Sequence, residues 1–184
     1  MKQFVTIALA ASALIAAPAC AQNTTGTITL NGNVAAKCSV SPGNGNTFAQ
    51  TVDFLELAQA NGTLRSGLAT DFGTKSATVV CNTGTPKVSV DANPLATAGA
   101  AATGYDNSID YTASVAVTAV GANAGPFTNA SSAAAGTLTA VGSALATSAS
   151  NVQITTTGYA TNNATDVLVA GAYTGNILVV IAPN

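Results

Sequence analysis

Few side chains in this sequence could do chemistry, and their spacing does not bring them together. Two carboxylate pairs stand out, Asp53 with Glu56 and Asp106 with Asp110. Paired carboxylates are the equipment of glycoside hydrolysis, and clustered Asp residues that of calcium binding. Neither pair has calcium-loop spacing, and an Asp between extended segments is ordinary turn chemistry, its short carboxylate bonding a nearby backbone N–H. The chain has no His and no Trp, and only 7 acidic and 5 basic residues among 184. Charged residues make up 7 %, against about 25 % in an ordinary soluble domain. General acid–base catalysis and metal binding draw on His, Cys, Asp, Glu and Lys, and nucleic-acid recognition needs clustered cations. The sequence therefore predicts no enzyme, no cofactor, no metal site and no nucleic-acid partner.

The remaining reactive residues are Cys20, Cys38 and Cys81. Cys20 lies at the end of a segment with the order of a secretory signal: Lys2, an apolar run from Phe4 to Ala17, then Ala19 and Ala21 at the small-residue positions before a cut. Cleavage after Ala21 is expected, with lipidation of Cys20 as the alternative. Export would leave Cys38 and Cys81 in an oxidising compartment, where a disulfide is the default reading and two buried free thiols the alternative. Outside the leader no apolar run is long enough to span a bilayer as a helix, and an eight-stranded outer-membrane barrel would carry aromatic girdles that this chain lacks. The protein is expected to be exported and not membrane-spanning.

The elements that must position these residues read as strands. Apolar residues recur at every second position: Ile28, Leu30, Gly32 and Val34; Val52 and Phe54; Thr78 to Cys81; Val88 and Val90; Val115 and Val117; Val152 and Ile154; Val167 and Val169; and Ile177, Val179 and Ile181. That is the period of a half-buried strand. Between them lie turn signals, among them Ser41-Pro42-Gly43, Asn61-Gly62, Asn93-Pro94 and Gly125-Pro126. No window after the leader shows a helical stripe. Ala119 to Ser150 is mostly Ala, Gly, Ser and Thr, with Leu138 and Leu145 as isolated anchors, and is expected to be a weakly specified hairpin and surface loop. Short strands with polar turns indicate an all-β sandwich or barrel.

Three stretches resemble a known family. TGTITLNGNVAAKC is similar to the donor segment of a chaperone–usher pilin, particularly the archaic class and the spore coat protein U-like proteins. ATVVCNTGTPKVSVDANPL resembles the second-cysteine strand of that family, and AGAYTGNILVVI its closing strand. The resemblance implies an incomplete immunoglobulin-like β-sandwich over residues 38–184, preceded by a leader (1–21) and a donor-like extension (22–37). It implies that Cys38 pairs with Cys81, and that Ile28, Leu30, Gly32 and Val34 enter the sheet of a neighbouring subunit. It also implies as partners other pilin subunits, a periplasmic chaperone and an outer-membrane usher, with a role in adhesion or biofilm at the cell surface. Strand addition of this kind gains affinity from backbone bonds and specificity from alternate side chains. The competing expectation is a secreted sandwich that folds alone and serves as a coat or binding protein.

Overall fold

The computed structural model describes residues 26–42, 45 and 47–184. The expected leader, and Gln22 to Thr25 of the expected extension, lie outside the described residues. The chain divides into two units, Met1–Val34 and Ala35–Asn184. The described part of the first, 26–34, forms no strand or helix.

The second unit is an all-β, sandwich-like fold. Its strands are β1 (Cys38–Ser41), β2 (Lys75–Cys81), β3 (Lys87–Ala96), β4 (Tyr105–Asp106), β5 (Ser108–Thr118), β6 (Asn123–Ala130), β7 (Thr139–Ala140), β8 (Val152–Ala160), β9 (Val167–Leu168) and β10 (Thr174–Ala182). One helix, α1 (Leu68–Phe72), precedes β2 and buries its first and last residues. No helix among the described residues is long and apolar enough to cross a membrane.

The large sheet runs β1-β2-β8-β5-β3-β10, with β6 also on β5 and β7 also on β3. Its ladders are antiparallel. The β3–β5 join consists only of Leu95↔Ile109 and Ala96↔Ser108. At this corner the sheet turns back, so that β3 and β10 share one core with β2, β5 and β8. β5 shows why these residues make strands: Ile109, Tyr111, Ala113, Val115 and Val117 are all buried, with less buried residues between them. Full burial of each large apolar side chain contributes about 1.5–3 kcal/mol, so a one-residue slip would expose the whole set.

Two expected turns prove to be irregularities inside strands. Asn93-Pro94 lies within β3, where the β10 register shifts between Thr174 and Asn176. Gly125-Pro126 lies within β6, where the β5 register shifts between Val115 and Val117. Proline has no N–H for the ladder, so a bulge is where a strand tolerates it.

The Ala/Gly/Ser/Thr-rich stretch is likewise more than a surface loop. It contributes β6 and β7 and buries Val141 and Leu145, whereas Leu138 is exposed. Beyond β6 the Gly136 N–H donates to the Val90 carbonyl at 3.0 Å. A Cβ on Gly136 would lie 2.4 Å from that oxygen, so only glycine allows this approach.

Candidate functional site

The two ends of the large sheet face one another across an open cleft. One bank is β1, whose only neighbour in the sheet order, among the described residues, is β2, through Cys38↔Cys81, Ser39↔Val80, Val40↔Val79 and Ser41↔Thr78. Just outside β1 the Asn82 N–H donates to the Lys37 carbonyl. Backbone groups alternate along an antiparallel strand, so Lys37, Ser39 and Ser41 turn theirs toward β2 while Cys38 and Val40 turn theirs to the cleft. The Val40 N–H accordingly leaves the ladder and donates to Gly45 O at 2.7 Å. The other bank is β10, which among the described residues pairs only with β3. Alternate N–H and C=O groups on its far side meet no strand of the described residues, the arrangement that invites strand addition.

The cleft floor is apolar. Ile177, Val179 and Ile181 of β10 pair with Ala92, Val90 and Val88 and turn with them toward the core. A cavity of about 320 Å³ opens beside Ile177, over Tyr111, Ile154 and Tyr159. A second, of about 250 Å³, lies between Cys38–Val40 and Leu178–Ile181, with Val79 in its lining. Five of the chain's nine Phe and Tyr residues line the larger cavity: Phe48, Phe54, Phe72, Tyr111 and Tyr159. The rings of Tyr111 and Tyr159 stack at 5.3 Å, and Phe54 meets Tyr159 edge-on at 5.7 Å. Lys75, its ammonium 5.7 Å from the Phe72 ring, is the one charged residue among the described residues of either lining.

The Tyr159 hydroxyl donates to the Thr156 hydroxyl at 2.9 Å, and that of Tyr111 is satisfied by backbone. The Tyr111 hydroxyl lies 2.8 Å from the Asn93 carbonyl and 3.1 Å from that of Asn176, joining β5 to the bulge shared by β3 and β10. Burial, reinforced by the nearby Tyr159 and Asp91, pushes the Tyr111 phenol up to about 12. It therefore stays a neutral donor. Burial raises Tyr159 as well.

Two buried amides act as strand substitutes. Asn151 accepts from the Val79 N–H at 2.8 Å and donates to the Val79 and Ala146 carbonyls, each at 2.7 Å. Asn129 accepts from the Ala92 N–H and donates to Ala134 O. Asn82 does the same at the exposed end of β1: its side chain accepts from the Lys37 N–H at 2.7 Å and donates to the Ala35 carbonyl at 2.8 Å.

The expected site residues fall into separate groups. Cys38 and Cys81 are bonded, S–S 2.01 Å. The C-terminal series Ile177, Val179 and Ile181 forms the inward face of β10. In the first unit Ile28, Leu30 and Val34 are 87 %, 90 % and 82 % exposed, and among the described residues nothing lies within 4 Å of the Cβ position of Gly32. Val52 and Phe54 alternate as the sequence requires but belong to no ladder, and Asp53 with Glu56 serves local turns. The Leu55 N–H donates to Asp53 Oδ1 and the Ala58 N–H to Glu56 Oε1. Asp106 is buried in β4 and accepts from the N–H groups of Ser108 and Asn162, while Asp110 in β5 accepts from the Ser131 hydroxyl. The two carboxylate pairs are thus engaged in structural bonds. Sequence reasoning missed the aromatic lining and the buried amides. No signal in the letters marked the first, because its residues are scattered along the chain.

No protein family, curated protein or solved structure matches this chain.

Proposed function

We propose that this protein is a structural subunit of a cell-surface pilus or fibre, assembled by donor-strand exchange and used in adhesion or biofilm. One observation carries the reading: an apolar cleft between the outer edges of β1 and β10, where among the described residues β10 meets no further strand and β1 only the single bridge from Val40 to Gly45. A strand laid between them would bond to both, each bond contributing about 0.5–1.5 kcal/mol net. The segment before Ala35 offers the complementary pattern, with Ile28, Leu30 and Val34 exposed at alternate positions and Gly32 among them. In the fibre these positions serve the next subunit. On the way to the surface, a periplasmic chaperone would cover the cleft and an outer-membrane usher would exchange that cover for the donor.

A second reading draws on a different observation. Phe48, Val52 and Phe54 pack against the core within the same cleft, as they would in a secreted sandwich that functions alone.

The test is to express the full chain and follow its mass in solution and on gels without boiling. Polymers that withstand detergent are expected from the wild type. Leu30→Asp, which would bury a charge without a partner, should remain monomeric yet still bind a peptide of residues 25–35. A folded wild-type monomer that neither polymerises nor binds this peptide would overturn the proposal in favour of the second reading.

A further inference from the structure

We propose that residues 47–53 are a displaceable cover, shielding the apolar cleft while the chain is alone and leaving it when a donor strand arrives. This rests on the donor-strand reading and concerns how the cleft is kept before exchange.

The segment imitates a strand in its side chains but not in its backbone. Phe48 and Val52 are half-buried against the core, while Ala49, Gln50 and Thr51 are exposed. Phe48 lines both cavities, and Val52 lines the larger. Among the described residues, 47–53 makes no backbone–backbone hydrogen bond. Beside it, among the described residues, the outer edge of β10 has no ladder and that of β1 only the Val40–Gly45 bridge. Beyond the one bond at Val40, the cover therefore shields apolar surface without satisfying the strand edges, whereas an incoming strand would do both. That difference makes exchange favourable.

Its attachments suit a swinging motion. The middle is held by the apolar contacts of Phe48 and Val52 and by one amide, Gln50 Nε2 donating to Ser76 O at 2.7 Å. Both ends are fixed. Gly45 O is held by the Val40 N–H. Arg65 donates from its guanidinium to Phe54 O and Glu56 O and pairs with Asp71. Phe54 remains against Tyr159, so the hinges lie near residues 45 and 54 and the intervening residues can leave without unfolding α1 or β2.

The chain contains no Trp, so Phe48→Trp provides a single indole at the cleft. The substitution is placed in the full chain with Leu30→Asp, which prevents polymerisation, and a fluorophore-labelled peptide of residues 25–35 is added. Peptide capture should coincide with a red shift of the indole emission, at the same rate. Val52→Ala should speed capture about fivefold, by weakening the apolar hold of the cover. If the peptide binds while the indole emission stays blue, the cover remains in place; this inference then fails and the donor-strand reading survives. If the peptide binds neither this variant nor one with Phe48 intact, the donor-strand reading itself fails and the cover falls with it.

Discussion

Residues 47–54 and 174–182 both bury apolar side chains an even number of positions apart, yet only the second segment is a strand. In β10, Ile177, Val179 and Ile181 find Ala92, Val90 and Val88 directly opposite, and the ladder with β3 satisfies the backbone on that side. In 47–54, Phe48, Val52 and Phe54 reach the same core with no backbone partner among the described residues. The comparison teaches that alternation reports which face of a segment will be buried. Whether the segment pairs depends on an edge at the right distance and register, which is a property of the whole sheet.

The largest expected effect comes from removing what fixes the β1 bank. Cys81→Ser opens a link between residues 43 apart and should lower stability by about 2–5 kcal/mol in chemical denaturation. Next comes Asn151→Leu, which leaves the Val79 N–H and C=O and the Ala146 carbonyl without their bonds. Orphaned buried groups cost about 1–3 kcal/mol each before relaxation, so a loss of at least about 2 kcal/mol is expected on the same curves. The comparison itself is sharpened by one truncation on each segment. Val179→Ala, in the ladder, should cost about 1–2 kcal/mol, and Val52→Ala, outside it, less than about 1 kcal/mol. Equal losses would mean that 47–54 is as integral to the fold as β10.

The smallest effect is a pH dependence. Tyr111 is raised by burial from 10.0 to about 12, and Tyr159 and Tyr173 are raised in the same direction. The unfolded chain releases these protons first, so their contribution is fully present below about pH 10 and is lost as pH rises toward about 12. Tyr111→Phe should flatten that decline in a pH series of denaturation midpoints, at a cost of about 1 kcal/mol near neutrality for the lost hydroxyl bonds.

Much of the fold was legible because its strands bury one face against a single core. Val88 and Val90, Val115 and Val117, Val152 and Ile154, and Ile177 to Ile181 all alternate in the sequence and all lie in ladders. β6 was not legible: its letters, Asn123 to Ala130, are mostly small or polar, and what holds it is its backbone ladder to β5. α1 was hidden by its length, since five residues cannot show a stripe. Asn93-Pro94 and Gly125-Pro126 misled because a bulge and a turn ask for the same residues. Of the site, the inward face of β10 and the cysteine pair could be read. The aromatic lining is assembled from Phe48, Phe72, Tyr111 and Tyr159, whose separation along the chain only the sheet topology overcomes. Asn129 and Asn151 carry the ordinary letters of turns; only burial shows that they replace missing ladder rungs.

The attachment at the start of β1 has a mechanical consequence. Tension applied through residues 26–34 enters the second unit at Ala35, whose carbonyl is held by Asn82, and passes to Lys37, bonded to Asn82 through both N–H and C=O. The next residue is Cys38, covalently joined to Cys81 at the end of β2. Load therefore reaches a strand flanked by β1 and β8 before any rung of the short β1 ladder bears it. Peeling from this end, in which hydrogen bonds break one at a time, is blocked by a covalent bond at the first residue of the strand.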